Sequence, residues 1–409
     1  MKMRVSAALL SLLLVLSLLA GCSSKGDDGK VELELLTNKS ESIQTYKHLI
    51  KEFEKENPGI RIKLNAPPDA ETVLKARLTK NDVPDILSIG GNATYGELAR
   101  AGVLKDFSES DLLKKIHPAY IDMIGRLVGE EKKGVYGLPY ATNANGVIYN
   151  KEKLKQLGAD VPKTWDEFIE LLEKAKKAGE TPIYFSLKDP WTAMVPWNAI
   201  AANVVEEDFA RLKNEGKASF QKNYGEVADK MLTLLEYGHK DNFGVGYGDG
   251  NTSFAKGKSL LYLQGNWAIP EIKKANPDVE LGMFALPVTN DPEKNKLVSG
   301  VDVLLTVTET TEHPEEAMKF IEFMMREETA ETYIDEQKAF SALKGVIQKD
   351  PVVEGVQEHF REGSLASYPD HYYPSGMQAA NLIQDFLLKK NKRAFLQKMD
   401  QEWEKVSSR

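Results

Sequence analysis

Residues 31–64 read VELELLTNKSESIQTYKHLIKEFEKENPGIRIKL, and residues 84–89 read PDILSI. These two pieces decide the fold. In 31–38 apolar and acidic residues alternate, which is the period of a strand. Ser40 or Ser42 can cap a helix, and Ile43, Tyr46, Leu49, Ile50 and Phe53 recur on one helical face. Asn57-Pro58-Gly59 stops that helix, and 60–64 alternates again. Residues 70–78 read as a helix, 84–89 as a short buried strand, and 93–101 as another helix ending before Gly102. Strand, helix, strand, helix, strand predicts an α/β layer with a largely parallel sheet. Ligands of such sheets sit beyond the carboxyl ends of the strands, so the polar loops 37–41 and 90–92 become candidates. Helix capping alone also explains Ser40 and Ser42.

The N-terminus sets the compartment. Lys2 and Arg4 precede an apolar stretch over 5–20 that is too short to read as a membrane span. Leu19-Ala20-Gly21-Cys22 then places small residues directly before the one cysteine among 409 residues. These residues resemble the lipobox of bacterial lipoproteins, which implies cleavage of residues 1–21 and lipidation of Cys22; an ordinary cleaved signal with an incidental cysteine is the alternative, less favoured because a lone thiol in an exported chain makes sense when it is used. Residues 22–30 read as the lipidated cysteine and a solvated tether. Loss of Lys2 and Arg4 from the 53 basic residues leaves 51 against 61 acidic ones, a formal charge of −10. An acidic surface argues against nucleic acid as a partner. An extracytoplasmic location argues against ATP- or NAD-driven chemistry. The length suits two or three lobes.

Further along, GVYGLPYATNANGVIYNKEKL at 134–154 gives two strand-like pieces around the small polar link 141–145. Thr164 and Glu167 form a capping box ahead of the stripe Phe168, Leu171, Leu172, Ala175. A strand over 181–187 delivers Lys188-Asp189-Pro190-Trp191 into a loop. Residues 241–251 are glycine-rich and read as a flexible loop. In 251–287 a strand-like run at 259–263 ends at Gly265, Asn266 can cap the next segment, and Trp267 stands on its first turn. A second strand, 281–286, closes at Pro287. An aromatic at such a turn suits stacking on a ligand, and suits a core position equally. Residues 297–307 form a bent strand or strand pair with Asp302 among apolar neighbours, and 368–374 is an aromatic loop.

Catalytic signatures are missing. There is no HExxH or GxSxG, and one cysteine makes CxxC impossible. Gly257-Lys258-Ser259 resembles the end of a P-loop, but Thr252 stands where its first glycine belongs. Asp241, Asp249 and Asn251 fit no EF-hand spacing. No metal and no cofactor are expected.

Several blocks together resemble the extracellular solute-binding proteins of bacterial ABC transporters, in particular the carbohydrate type related to maltose-binding and multiple-sugar-binding lipoproteins. The blocks are LAGC at 19–22, the opening stretch 31–64, PDILSIGG with ELARAGVLKDFSE, GVYGLPYATNANGVIYNKEKLKQLG, PKTWDEF, FAKGKSLLYLQGNWAIPEI with LGMFALPV, and HPEEAMKFIEFMM. The resemblance implies a type II-like periplasmic-binding-protein fold, α/β, with two lobes that are each a mixed sheet flanked by helices. Three hinge crossings, near 141–145, 285–287 and 337–342, would divide the chain into lobe 1 (31–141 and 286–339) and lobe 2 (142–285 and 340–409). A carbohydrate, a di- or oligosaccharide, would bind in the cleft between the lobes.

The resemblance also implies the roles of particular residues. Trp267 would stack on the sugar, with Asn266 beside it. Asp189 and Trp191 would reach in from the second lobe. Asn38, Lys39, Glu41 and Asn92 would contact it from the first lobe, with Asn143 and Asp302 at the hinge and Tyr372 and Tyr373 as a further wall. Sugar rings present apolar C–H faces to aromatics and hydroxyls to planar or charged partners. Trp165 and Trp197 read as core. Where some relatives carry an aromatic after the PDI strand, this chain has Ser88-Ile89-Gly90, which puts long maltodextrins in doubt. The implied protein is a monomer rather than an enzyme. It is lipid-anchored on the outer face of the cytoplasmic membrane and works with permease subunits. A non-sugar solute (polyamine, iron, a phosphate ester) on the same fold, or a surface-anchored glycosidase or lyase, are the alternatives.

Overall fold

The computed structural model describes residues 29–39, 42–67, 70–80, 82–129, 132–374 and 376–408. The expected signal segment, Cys22 with its tether to residue 28, and Glu41 lie outside them. Among the described residues no helix is long and apolar enough to cross a membrane.

Ten strands are arranged about one continuous sheet path: β1 (Val31–Thr37), β2 (Ile60–Asn65), β3 (Ile86–Ile89), β4 (Leu138–Asn150), β5 (Ile183–Tyr184), β6 (Leu261–Gly265), β7 (Leu281–Phe284), β8 (Leu297–Val307), β9 (Phe340–Ser341) and β10 (Leu365–Ala366). As the alternation in the opening stretch predicts, β1 lies parallel between β2 and β3. The helix Ile43–Glu56 buries the expected stripe of Tyr46, Leu49, Ile50 and Phe53. Phe53 meets Phe320 edge-on at 5.1 Å. Each such buried aromatic contributes about 1.5–3 kcal/mol. β8 runs antiparallel to β3 and β4 antiparallel to β8, completing the first lobe.

β4 carries the chain across. The sequence suggests two strands flanking 141–145, but β4 runs unbroken through that link. Its first half pairs with β8 and its second half with β6 and β7. Ala141 and Ala144 are fully buried there, and their small side chains let the strand change partners without a break. The result is two lobes, each with its own core. The first gathers Leu33 to Ala141 and Val301 to Val346; the second covers both faces of the β4–β6–β7 sheet.

At the second expected crossing the packing puts the change of lobe later. Leu286 and Val288 pack in the second lobe and Val301 in the first, so the second crossing falls within β8 near Ser299 and Gly300 rather than at 285–287. Asn295 is the cause. Its side chain accepts from the Val288 and Thr289 amides and donates to the Lys163 carbonyl, pinning 288–295 to lobe 2. Around the third expected crossing the packing is shared: Phe340 lies in the second lobe's cluster with Val352 and Val353, while Ala339, Ala342, Leu343 and Val346 pack with the first core. Gln348 holds this turn by donating to the Ile334 and Ala339 carbonyls.

A close helix crossing supports lobe 1 beside the hinge. The helix Ala93–Arg100 lies on the helix Pro118–Val128 at Gly96, where a Cβ would stand 2.2 Å from the Leu127 carbonyl oxygen. Backbone cannot swing aside as a side chain can. Gly96→Ala is therefore expected to destabilise by about 2–3 kcal/mol, read as a lower urea midpoint at unchanged slope.

Candidate ligand cleft

Strand alternation sorts the candidates. Asn143 and Asn145 lie on one face of β4. Asn143 is paired with Gly300 of β8, Asn145 is paired with Gly265 of β6, and Asp302, unpaired where the register of β8 against β4 shifts, reaches the same side to accept from Asn143. The Trp267 indole lies over Gly265 on the same side: a Cβ there would stand 2.1 Å from the ring. One face of the strands that join the lobes thus carries Asn143, Asp302 and Trp267 together. The loops after β1 and β3 reach the same place. Lys39 binds Asp302 at 2.5 Å, Asn143 donates to the same carboxylate oxygen at 3.1 Å, and the Gly91 amide donates to the Val301 carbonyl at 2.8 Å.

The ion pair is partly buried, with Lys39 17% and Asp302 25% exposed. Near it Asn143 Oδ1, Tyr368 Oη and Asp370 Oδ1 are buried without a hydrogen bond, while Asn38 Oδ1 is in the same condition beside Ala70, Leu74 and Asn92. Tyr368 and His371 belong to the aromatic loop noted in the sequence, from which Tyr372 and Tyr373 stand out as candidates instead. Nothing local in that loop marks which ring faces β8.

From lobe 2, Trp191 is 41% exposed and meets Tyr247 edge-on at 4.9 Å. Asp189 accepts from the Tyr247 amide at 2.7 Å. That bond starts the helix Tyr247–Ala255, so the glycine-rich segment is helical in its second half and not the flexible loop its composition suggests. Tyr247 and Trp267 border the same apolar group around Phe254 and Tyr262. The indole N–H of Trp267 donates to Gln264 at 3.2 Å, which fixes the ring plane.

Other candidates serve the scaffold. Asn266 is buried, with its amide spent on the Ala144 N–H and the Lys338 carbonyl, so it staples β6 to the hinge. Tyr373 is a correction. It lies in the second core, its hydroxyl shared between Trp197 Nε1 and Tyr224, and forms no cleft wall. Asn92 caps the helix Ala93–Arg100 by accepting from the Thr94 and Tyr95 amides. Tyr372 binds Ser367 at 3.0 Å beneath Arg126, whose guanidinium is 5.8 Å from the ring. Arg126, on lobe 1, also pairs with Glu207 of lobe 2, bridging the lobes at the rim. A hollow of about 500 Å³ opens on the opposite face of the hinge strands, lined by Tyr120, Phe340 and Phe360, away from Lys39 and Trp267.

Residues 38–331 match the family described as "Bacterial extracellular solute-binding protein". The chain belongs to this family. It is 33% identical over 344 residues, 80% of each chain, to the multiple sugar-binding protein of Streptococcus mutans. It is 24% identical over 390 residues, 90% of this chain and 88% of the other, to the melibiose/raffinose/stachyose-binding protein MelE of Bacillus subtilis. The apo form of RafE from Streptococcus pneumoniae superposes with a TM-score of 0.80 at 28% identity, covering 93% of this chain and 99% of that one. RafE in complex with raffinose gives 0.75 at 27%, covering 92% and 100%. These likenesses agree with the two-lobe fold described above. Extracellular or periplasmic residence follows from the family.

Electrostatics within this solute-binding protein give a pH expectation. Burial lowers the pKa of His371, with Asp370 and Asp302 opposing and Lys39 reinforcing. Burial also lowers His117, reinforced by Lys344, and His359, opposed by Glu362 and Glu358. Each histidine binds its proton more readily in the unfolded chain than in the folded one. Stability from these groups is therefore present above their ordinary value near 6.5 and lost as pH falls through the folded values. The melting temperature is expected to drop between pH 7.5 and 5.5. His359→Gln should flatten that slope, and an unchanged slope would show that the histidines do not set it.

Proposed function

We propose that this chain is the sugar-capturing component of an ABC importer. It holds a di- or oligosaccharide between its lobes and delivers it to membrane permease subunits. It acts as a monomer, anchored through lipid on Cys22, and carries out no chemistry on the ligand. The observation that carries the reading is one strand face bearing both kinds of contact a sugar needs. Trp267 over Gly265 offers a flat apolar surface, and Lys39, Asp302 and Asn143 offer charged and amide partners for hydroxyls. The printed specificities of its relatives, multiple sugars in one and melibiose, raffinose and stachyose in another, support the same class. A thermal melt against a panel of mono- and oligosaccharides tests it. A ligand present at a hundred times its Kd stabilises the folded state by about 2.7 kcal/mol, a shift of several degrees. No shift with any sugar removes the carbohydrate reading and leaves a different solute on the same fold.

A further inference from the structure

The hollow on the far face of the hinge strands has the form of a ligand site. Tyr120 fixes its side of the sheet. The Tyr120 hydroxyl lies 3.2 Å from Ser299 Oγ and 3.4 Å from Thr142 Oγ1. These are the strand neighbours of Gly300 and Asn143, so they point away from the cleft. The walls come from both lobes. The helix Pro118–Val128 brings Tyr120 from lobe 1, the helix Glu354–Glu362 brings Phe360 from lobe 2, and β9 contributes Phe340. Phe360 and Leu365 pack against the cores of both lobes.

Much of this lining is apolar and open to solvent. Phe340 and Phe360 stack at 4.3 Å and 24°, and Ile347 stands 54% exposed at the edge. Apolar wall gathered in a concavity with a few polar groups is what small-molecule sites look like. A cavity of about 150 Å³ holds a benzene ring, so one of about 500 Å³ has room for a chain of about ten carbons. The edge is cationic. Arg361 lines the hollow and, among the described residues, makes no hydrogen bond or ion pair. Lys344 acts on His117 from beside it, and its ammonium is bonded to the Lys114 carbonyl rather than to a carboxylate. Burial, with Lys344 adding, lowers the His117 pKa, so the imidazole brings no charge at pH 7. The carboxylate of the lining, Glu362, is exposed and acts on His359, as Glu358 does. Arg361 and Lys344 against Glu362 leave the edge net positive.

We propose that the hollow binds an amphipathic monoanion, with an alkyl chain laid along Phe340, Phe360 and Leu365 and a carboxylate at Arg361. The chain removes exposed apolar wall from solvent, and the head group gives the guanidinium a charged partner. A ligand made of hydroxyls alone would leave the walls without apolar contact, which sets this hollow apart from the cleft.

Decanoate is the probe, titrated into the purified full chain with isotope-labelled isoleucine methyls and followed by NMR. The Ile347 methyl resonance is expected to shift saturably. Decanol, the same chain without the charge, should bind about ten-fold more weakly, the loss of one charged hydrogen bond at a solvated edge. Arg361→Gln should bring decanoate down to the level of decanol and leave decanol unchanged. It should also leave the melting temperature of the free protein in place, since the guanidinium gives up no ion pair or hydrogen bond there. Ala119→Trp, at an exposed position on the lobe 1 wall, should block both probes. No saturable shift with either probe overturns the site. Saturation that moves other isoleucines but not Ile347 puts the probe elsewhere and overturns it equally. Decanol bound as tightly as decanoate, with and without Arg361, overturns the carboxylate class.

Discussion

Replacing Trp267 by alanine is expected to weaken sugar binding roughly 30- to 150-fold, about 2–3 kcal/mol of lost ring contact, with little change in melting temperature. The asymmetry follows from where the ring sits. It lies over Gly265 at the end of β6, part-buried, and is held in plane by a bond to Gln264. It is not wedged among large side chains as Trp197 is, fully buried and stacked on Tyr224. Truncation at 267 therefore removes a flat surface more than a piece of core. Gly265→Ala provides an independent arm: the added methyl would stand 2.1 Å from the indole, so the ring must leave its place although it is still present. Both variants should lose affinity together. A large fall in melting temperature with affinity retained would assign the ring to the fold.

How far the sequence carried this picture differs from element to element. The β1–β3 layer was legible because alternation and helical spacing are local signals. β4 was misread as two strands because 141–145 is small and polar, and composition does not report that a strand can pass through such a link by exchanging neighbours. The crossing in β8 was placed too early for a similar reason. Asn295 ties 288–295 to lobe 2 through bonds to residues up to 132 positions away, and nothing in the local text signals them. Among the proposed site residues, Lys39 and Asn143 meet at one oxygen of Asp302, although 263 positions separate Lys39 from Asp302, a meeting that no local pattern reports. Tyr373 was misjudged because a tyrosine whose hydroxyl is satisfied inside a core looks, in sequence, like one that lines a cleft. That the Tyr368 and His371 rings lie over Gly300 was not legible, because the contact depends on a residue of another strand through the side chain it lacks.

Asp302→Ala is expected to lower sugar affinity more than 100-fold and to destabilise the free protein as well. Its carboxylate accepts from Lys39 and Asn143 at once, and a hydrogen bond to a charged group is worth about 1.5–3 kcal/mol. The change removes a charged acceptor, releases Asn143 from its orientation and leaves the Lys39 ammonium without this carboxylate. Removing one partner of a fully buried pair costs about 3–5 kcal/mol. Here both side chains keep some access to water, 17% and 25%, so solvent screening brings the expected stability loss to about 1–3 kcal/mol. Binding and folding are then separated by the double replacement Lys39→Met with Asp302→Leu. Two apolar side chains of similar size remove both charges and should recover most of the stability, because such pairs are often neutral against hydrophobic substitutes. They offer nothing to a hydroxyl, so affinity should stay lost. A double variant that regained binding along with stability would show that the pair only braces the hinge and that the sugar is held elsewhere.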